Sequence, residues 1–136
     1  LTLPKTIIHN DFNSRNVAIR KSLPVKNGLD EIIPCIYDWE LAVINFPHRD
    51  IIEFLCFVLT EEFSKELLLE YLHSHYNQFN IKEECSFDEW KQGYIYALKE
   101  FLVTRVSYYE VAGILAKYAF SRRVMNNCFR MLNILN

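Results

Sequence analysis

Short apolar runs separated by polar loops fill the first third of the chain, and helical spacing takes over after Pro47, beyond which no proline occurs. After an extended lead-in over Leu1 to Lys5, Thr6 to His9 reads as a short strand. Asn16 to Lys21 sets Val17 and Ile19 against Ala18 and Arg20, the alternation of a half-buried strand. Ile32 to Tyr37 reads as the returning strand, an edge because Pro34 cannot donate to a ladder. Between them Ser22 to Glu31, with Pro24 and Asn27-Gly28, reads as the hairpin loop, its Asn-Gly pair suited to positive φ. Helical stripes come next: Ile51, Phe54, Leu55 and Val58, and then Leu67, Tyr71, Leu72, Tyr76 and Phe79. Ser86-Phe87-Asp88-Glu89 is a capping box, opening a helix that turns Trp90, Tyr94, Ala97, Phe101 and Leu102 inward. A last helical run from Val106 to Leu135 loosens near Phe120 to Arg123. The pattern predicts an α+β fold, mostly helical, in which a small β-hairpin carrying a polar loop packs on four or five helices.

Composition narrows this to one globular unit. The 136 residues are 51% hydrophobic and 24% charged, enough for a real core. A net charge of -2 and no basic stripe give no case for a nucleic-acid partner. No apolar run nears the roughly 18 residues that would span a bilayer, so no membrane partner is expected. Cys35, Cys56, Cys85 and Cys128 are scattered with no C-x-x-C, which reads as reduced thiols in a cytoplasmic protein.

The polar loop is where chemistry gathers. Asp11 follows the first apolar run, Asn16 stands five positions on, and Asp38 closes the third run. An ionised carboxylate on a tight loop can take a proton from an attacking hydroxyl. An amide oxygen and a second carboxylate beside it can share Mg²⁺. Turn and cap roles suit the same residue types, so it is their combination with the strands that carries the functional reading.

His9-x-Asp11-x-x-x-x-Asn16, followed by Asp38-Trp39-Glu40 and then Asp50, resembles the aminoglycoside phosphotransferase and choline kinase superfamily, which has the protein-kinase fold. His-Asn-Asp at 9 to 11 and Tyr37 to Ala42 lean toward the choline kinase-like members. The resemblance implies an ATP- and Mg²⁺-dependent phosphotransferase acting on a hydroxyl of a small molecule, cationic acceptors included. It implies Asp11 as the catalytic base, Asn16 and Asp38 as metal ligands, and His9 and Asp50 as supports of the catalytic loop. Asp38 is followed by Trp-Glu rather than Phe-Gly, and no Ala-Pro-Glu closes an activation segment, which disfavours a protein kinase proper.

Three glycines, Gly28, Gly93 and Gly113, form no phosphate-cradling cluster, and no strand lysine precedes Asp11. Residues 1–136 are therefore expected to be part of a kinase-like catalytic lobe, without the N-terminal nucleotide lobe. Such a chain would be inactive alone and an enzyme within a longer polypeptide. The alternative is a non-catalytic kinase-like binding or regulatory module. Arg15 is open between phosphate contact and solvent. Glu61, Glu62, Glu66 and Glu70 read as a solvated face, His48, His73 and His75 as ordinary surface or core residues. Tyr94, Tyr108, Tyr109 and Tyr118 are a weaker candidate for an ammonium cage than for core.

Overall fold

The computed structural model describes residues 3–21, 32–80, 83–116, 118 and 120–136, an α+β chain that is mostly helical. Strand β1 (Thr6–Ile8) pairs antiparallel with β4 (Val43–Asn45), placing Thr6 opposite Asn45 and Ile8 opposite Val43. Strand β2 (Val17–Lys21) pairs antiparallel with β3 (Ile32–Ile36), placing Val17 opposite Ile36. The β2/β3 ladder is thus nested inside the β1/β4 ladder along the chain. Nesting forces residues 9–16 on the outward path and 37–42 on the return path to meet where the two ladders join.

Two expectations about the strands change. The single hairpin becomes two ladders, because a three-residue strand such as Val43–Asn45 is too short to show a period. Strand β2 is exposed rather than half-buried. Ile19 is 73% exposed, and neither β2 nor β3 contributes to the buried core, so their alternation has no inside to face. The loop expected over Ser22 to Glu31, with its Asn27-Gly28 turn, lies outside the described residues.

The helices are α1 (His48–Val58), α2 (Lys65–Asn77), α3 (Phe87–Phe101), α4 (Ser107–Ala116) and α5 (Ser121–Leu135). Ser64 caps α2 by accepting from the Leu67 amide, and the expected box at α3 is complete, Ser86 and Glu89 each satisfying the other's backbone N–H. Helix α3 does not stop where a new run was expected. It continues through a π-helical turn, Leu102–Val106, into α4. That turn is stabilised by side chains donating back to carbonyls, Thr104 Oγ1 to Glu100 O at 2.9 Å and Ser107 Oγ to Leu102 O at 2.8 Å. The break before α5 falls just ahead of Ser121, at the early edge of the expected window.

Helix α1 lies at the centre of the core. Its Ile52, Leu55, Cys56 and Phe57 pack with Trp90, Leu98 and Phe101 of α3 and with Val124, Cys128 and Met131 of α5. Val58 and Tyr71, counted in the stripes, face outward, each 42% exposed. The four cysteines are free thiols. Among the described residues no helix is long and apolar enough to cross a membrane.

One polar network runs from this core to the half-buried His75. His48, the first residue of α1, is fully buried, and its Nε2 meets the Trp90 carbonyl at 3.1 Å. The Tyr94 hydroxyl donates to Leu72 O at 3.0 Å and accepts from Trp90 Nε1 at 2.8 Å. Its single hydrogen is then spent, so His75 Nδ1, at 2.8 Å, must carry its own proton and donate. Burial lowers His48 to about 3, helped by the nearby His75, and lowers His75 to about 4.

Gly93 permits the close approach of α3 to this network. A Cβ there would sit 2.4 Å from His48 Nε2 and 2.6 Å from Cδ2. The ring cannot swing away, since it bonds Trp90 O and lies 4.1 Å from the Trp90 ring. Gly93→Ala gains roughly 1 kcal/mol of helix propensity but overpacks the core by about 2–3 kcal/mol. The net effect expected in a thermal melt is a Tm lower by several degrees; an unchanged or higher Tm would contradict this packing.

Candidate active site

The site grows from the end of β1. Ile8 and His9 are buried, and the chain turns sharply at Asn10, whose φ is 62°. The Asp50 carboxylate, in the first turn of α1, accepts from the His9 amide at 2.6 Å and the Asn10 amide at 2.9 Å. Facing the developing helix dipole, it carries the negative charge that position favours. His9 Nε2 meets the Tyr37 carbonyl at 2.8 Å, and its ring lies 4.8 Å from that of Trp39. Tyr37 O and the Asp38 amide belong to one peptide, so the histidine fixes the peptide that leads into Asp38.

Asp11 is held by amides on both oxygens. Asn13 Nδ2 donates to Oδ1 at 3.1 Å and Asn16 Nδ2 to Oδ2 at 2.8 Å. Asn16 also donates to the Asp11 backbone carbonyl at 2.8 Å. Both asparagines are buried, whereas Asp11 itself is half-buried. Asn13 also caps the single 3₁₀ turn Ser14–Asn16, and its Oδ1 accepts from Arg15 N and Nε.

Asp38 arrives by backbone register rather than by side-chain contact. The Tyr37 amide donates to Asn16 O at 3.1 Å, extending the β2/β3 ladder one step to the residue before Asp38. Asn10 Nδ2 donates to Leu41 O at 3.2 Å, and the Tyr37 hydroxyl donates to Arg15 O, tying the same two segments again. Asp38 is exposed in left-handed conformation, φ 66° and ψ 54°, and makes no capping bond to the 3₁₀ turn Trp39–Leu41. Asn10 and Asp38 are the only non-glycine residues with positive φ among those described, and both border this site. Such conformations cost of order 1–3 kcal/mol and persist where surrounding structure imposes them.

Thus Asp11 with Asn16, and His9 with Asp50, are joined directly, while Asp38 follows Tyr37, whose backbone is bonded to Asn16 O and to the His9 ring. Three further residues carry the geometry. Asn13 had an Asx-turn signal in the sequence, Tyr37 had none, and Arg105, whose Nη2 donates to Asn10 O at 3.0 Å, lies 95 positions away. Arg15 is exposed, with its guanidinium over two rings, 5.9 Å from the Phe57 centroid and 5.6 Å from that of Phe120. Tyr94 and Tyr109 are buried, so the four tyrosines do not form a cage.

Behind the loop, Arg49 bonds Glu53 at 3.1 Å and Glu100 at 2.7 Å over the Phe101 ring. Burial pushes the Glu53 carboxyl up, and Arg49 opposes the shift. Among the described residues no group of three or more His, Cys, Asp or Glu could hold a metal. A cation at this site would instead take few protein oxygens, the amide of Asn16 and the carboxylate of Asp38. That hard, sparse donor set fits Mg²⁺, which retains water and phosphate oxygens.

A family model described as the phosphotransferase enzyme family (APH) matches residues 1–84, a stretch that holds both ladders, α1 and α2. Comparison with curated proteins and with solved structures gives no match.

Proposed function

Since this chain belongs to the phosphotransferase enzyme family, we propose that residues 9–16 and Asp38 form the acceptor-side half of a kinase site, which moves the γ-phosphoryl group of ATP to a small-molecule hydroxyl. The observation that carries this reading is the Asp11 carboxylate, gripped on both oxygens by buried amides in a residue that is itself only half-buried. Asp11 aligns the acceptor hydroxyl and takes its proton. The acceptor oxygen bonds the γ-phosphorus, the bond to the bridging oxygen breaks, and ADP leaves. Asn16 Oδ1 and the Asp38 carboxylate would hold Mg²⁺. When bound, that ion neutralises phosphate charge. His9 and Asp50 keep the two segments in register through their bonds to Tyr37 O and the loop amides.

The short connection from Asp38 to the first helix favours a small acceptor over a polypeptide. Only one 3₁₀ turn and β4 separate Asp38 from α1, leaving no long segment on which a protein substrate could lie. Aminoglycosides and amino alcohols, the cationic acceptors suggested by the motif, are the first to test. With no glycine cluster in these 136 residues, the grip on the nucleotide is proposed to come from a lobe outside them. The second reading, a binding or regulatory module that holds nucleotide without transfer, applies if that lobe is missing or altered.

The polypeptide that carries these residues is to be incubated with Mg²⁺ and γ-labelled ATP, together with a panel of aminoglycosides, amino alcohols and sugars. Label is expected on a small molecule, and lost in Asp38→Ala. Binding of Mg²⁺-ATP with label never leaving the nucleotide would replace the enzyme by the binding module.

A further inference from the structure

We propose that Arg105 is a positioning residue for Asp11, clamping the Asn10–Asp11 peptide from the helical side of the molecule. The proposal rests on the reading of Asp11 as the base, and it concerns a residue outside the stretch that the family model matches.

The geometry is specific. Asn10 O and the Asp11 N–H belong to one peptide plane, which also holds the Asp11 Cα, so a bond to that carbonyl fixes the point from which the Asp11 side chain leaves the backbone. Arg105 Nη2 supplies that bond at 3.0 Å. The preceding peptide is fixed from α1, since the Asn10 amide donates to Asp50 Oδ1 at 2.9 Å. Asn10 side-chain Nδ2 reaches Leu41 O at 3.2 Å. Three partners from three parts of the chain therefore hold one residue in left-handed conformation, φ 62°. The Arg105 clamp is what opposes relaxation of the peptide on the Asp11 side.

The π turn explains how an arginine on this helix reaches the loop. Residues 102–106 form one widened turn between α3 and α4, and Arg105 lies within it. A widened turn rotates the following side chains relative to a continuous α-helix, and such turns recur at functional sites. Thr104 and Ser107, which flank Arg105, donate back to Glu100 O and Leu102 O and so hold the turn open. Arg105 and Asp11 act on the titration of both Glu53 and Tyr109, in opposite directions, which places the guanidinium and the carboxylate in one electrostatic neighbourhood.

The test compares Arg105→Ala and Arg105→Lys with Arg130→Ala. Arg130 makes the same kind of bond elsewhere, Nε to Phe63 O at 3.0 Å, and so controls for general loosening. Hydrogen exchange of the peptide covering 9–16 is measured in the polypeptide that carries these residues, alongside transfer kinetics with Mg²⁺-ATP. Arg105→Ala is expected to speed loop exchange and to lower kcat about 100-fold, leaving the KM for ATP unchanged. Guanidinium ion below denaturing concentration should restore part of the loss. Arg105→Lys, keeping a donor without the planar fork, should fall between. Unchanged loop exchange in Arg105→Ala, or equal loosening in Arg130→Ala, overturns the clamp. Asp11→Asn separates the two claims: if it retains turnover the assignment of the base fails, whereas loop exchange still reports on Arg105 alone.

Discussion

Asp11→Asn is expected to lower kcat by about 10²–10⁴-fold, the usual contribution of a positioned general base, while Mg²⁺-ATP affinity stays close to wild type. The substitution is nearly isosteric, so its effect on chemistry can be read apart from shape. It is not neutral for the loop. Asp11 accepts an amide N–H₂ on each oxygen, from Asn13 and from Asn16. An asparagine there must turn its own N–H₂ toward one of these donors, costing about 1–3 kcal/mol through the lost bond and the unpaired group. A modest fall in Tm should therefore accompany the kinetic loss. Asp38→Ala should behave differently. It removes an exposed side chain in strained left-handed backbone, and the expected loss is in Mg²⁺-nucleotide affinity as well as turnover. Titration of Mg²⁺-ATP followed by single-turnover transfer separates the two variants. Near-wild-type turnover in Asp11→Asn would remove this residue from the mechanism.

Local patterns are enough to read the residues with local meaning. Asp11, Asn16 and Asp38 stand at the ends of apolar runs, where turn and cap roles suit the same residue types, so the pattern names them as candidates only in combination with the strands. Ser86 and Glu89 declare their helix start by mutual spacing, and the structure completes both bonds. The features that escape depend on chain segments meeting. Strand β4 is legible only once β1 lies across from it, since Val43 and Ile44 have no period of their own. The exposure of β2 escapes for the same reason: alternation predicts two faces but not whether a second layer covers either. Asn13 reads as a turn residue, yet its full burial under Asp11 is a tertiary fact. Arg105 offers no signal, because its partner is a backbone carbonyl 95 positions away and any sequence supplies a carbonyl. The π turn is likewise silent, for Thr104 and Ser107 are ordinary helix residues until their hydroxyls find Glu100 O and Leu102 O.

Mild acid should destabilise this protein, and the cause lies around His48 and His75. Burial, complete for His48 and partial for His75, keeps both rings neutral, at about 3 and about 4 in the folded state against 6.5 when exposed. Between these values the unfolded chain binds protons that the folded chain refuses, so stability rises with pH and is lost as pH falls below about 6.5. Each histidine approaches a slope of about 1.4 kcal/mol per pH unit once the unfolded ring is protonated, and the pair removes about 3 kcal/mol between pH 6.5 and pH 5. A domain with about 5–15 kcal/mol in hand would feel that strongly. Below about 4 His75 protonates in the folded state as well and its share of the slope ends. Glu53 works the other way, since its raised carboxyl gains a proton in the folded state first. Two substitutions isolate the histidines. His75→Asn keeps a donor for the Tyr94 hydroxyl, and His48→Gln keeps one for Trp90 O, without a titrating ring. Urea denaturation at pH 7, 6 and 5 should show the slope halved in either variant and nearly abolished in both together. A wild-type protein equally stable at pH 7 and pH 5, or a double variant with the slope intact, would mean that these imidazoles are not the groups excluded from protonation by the fold.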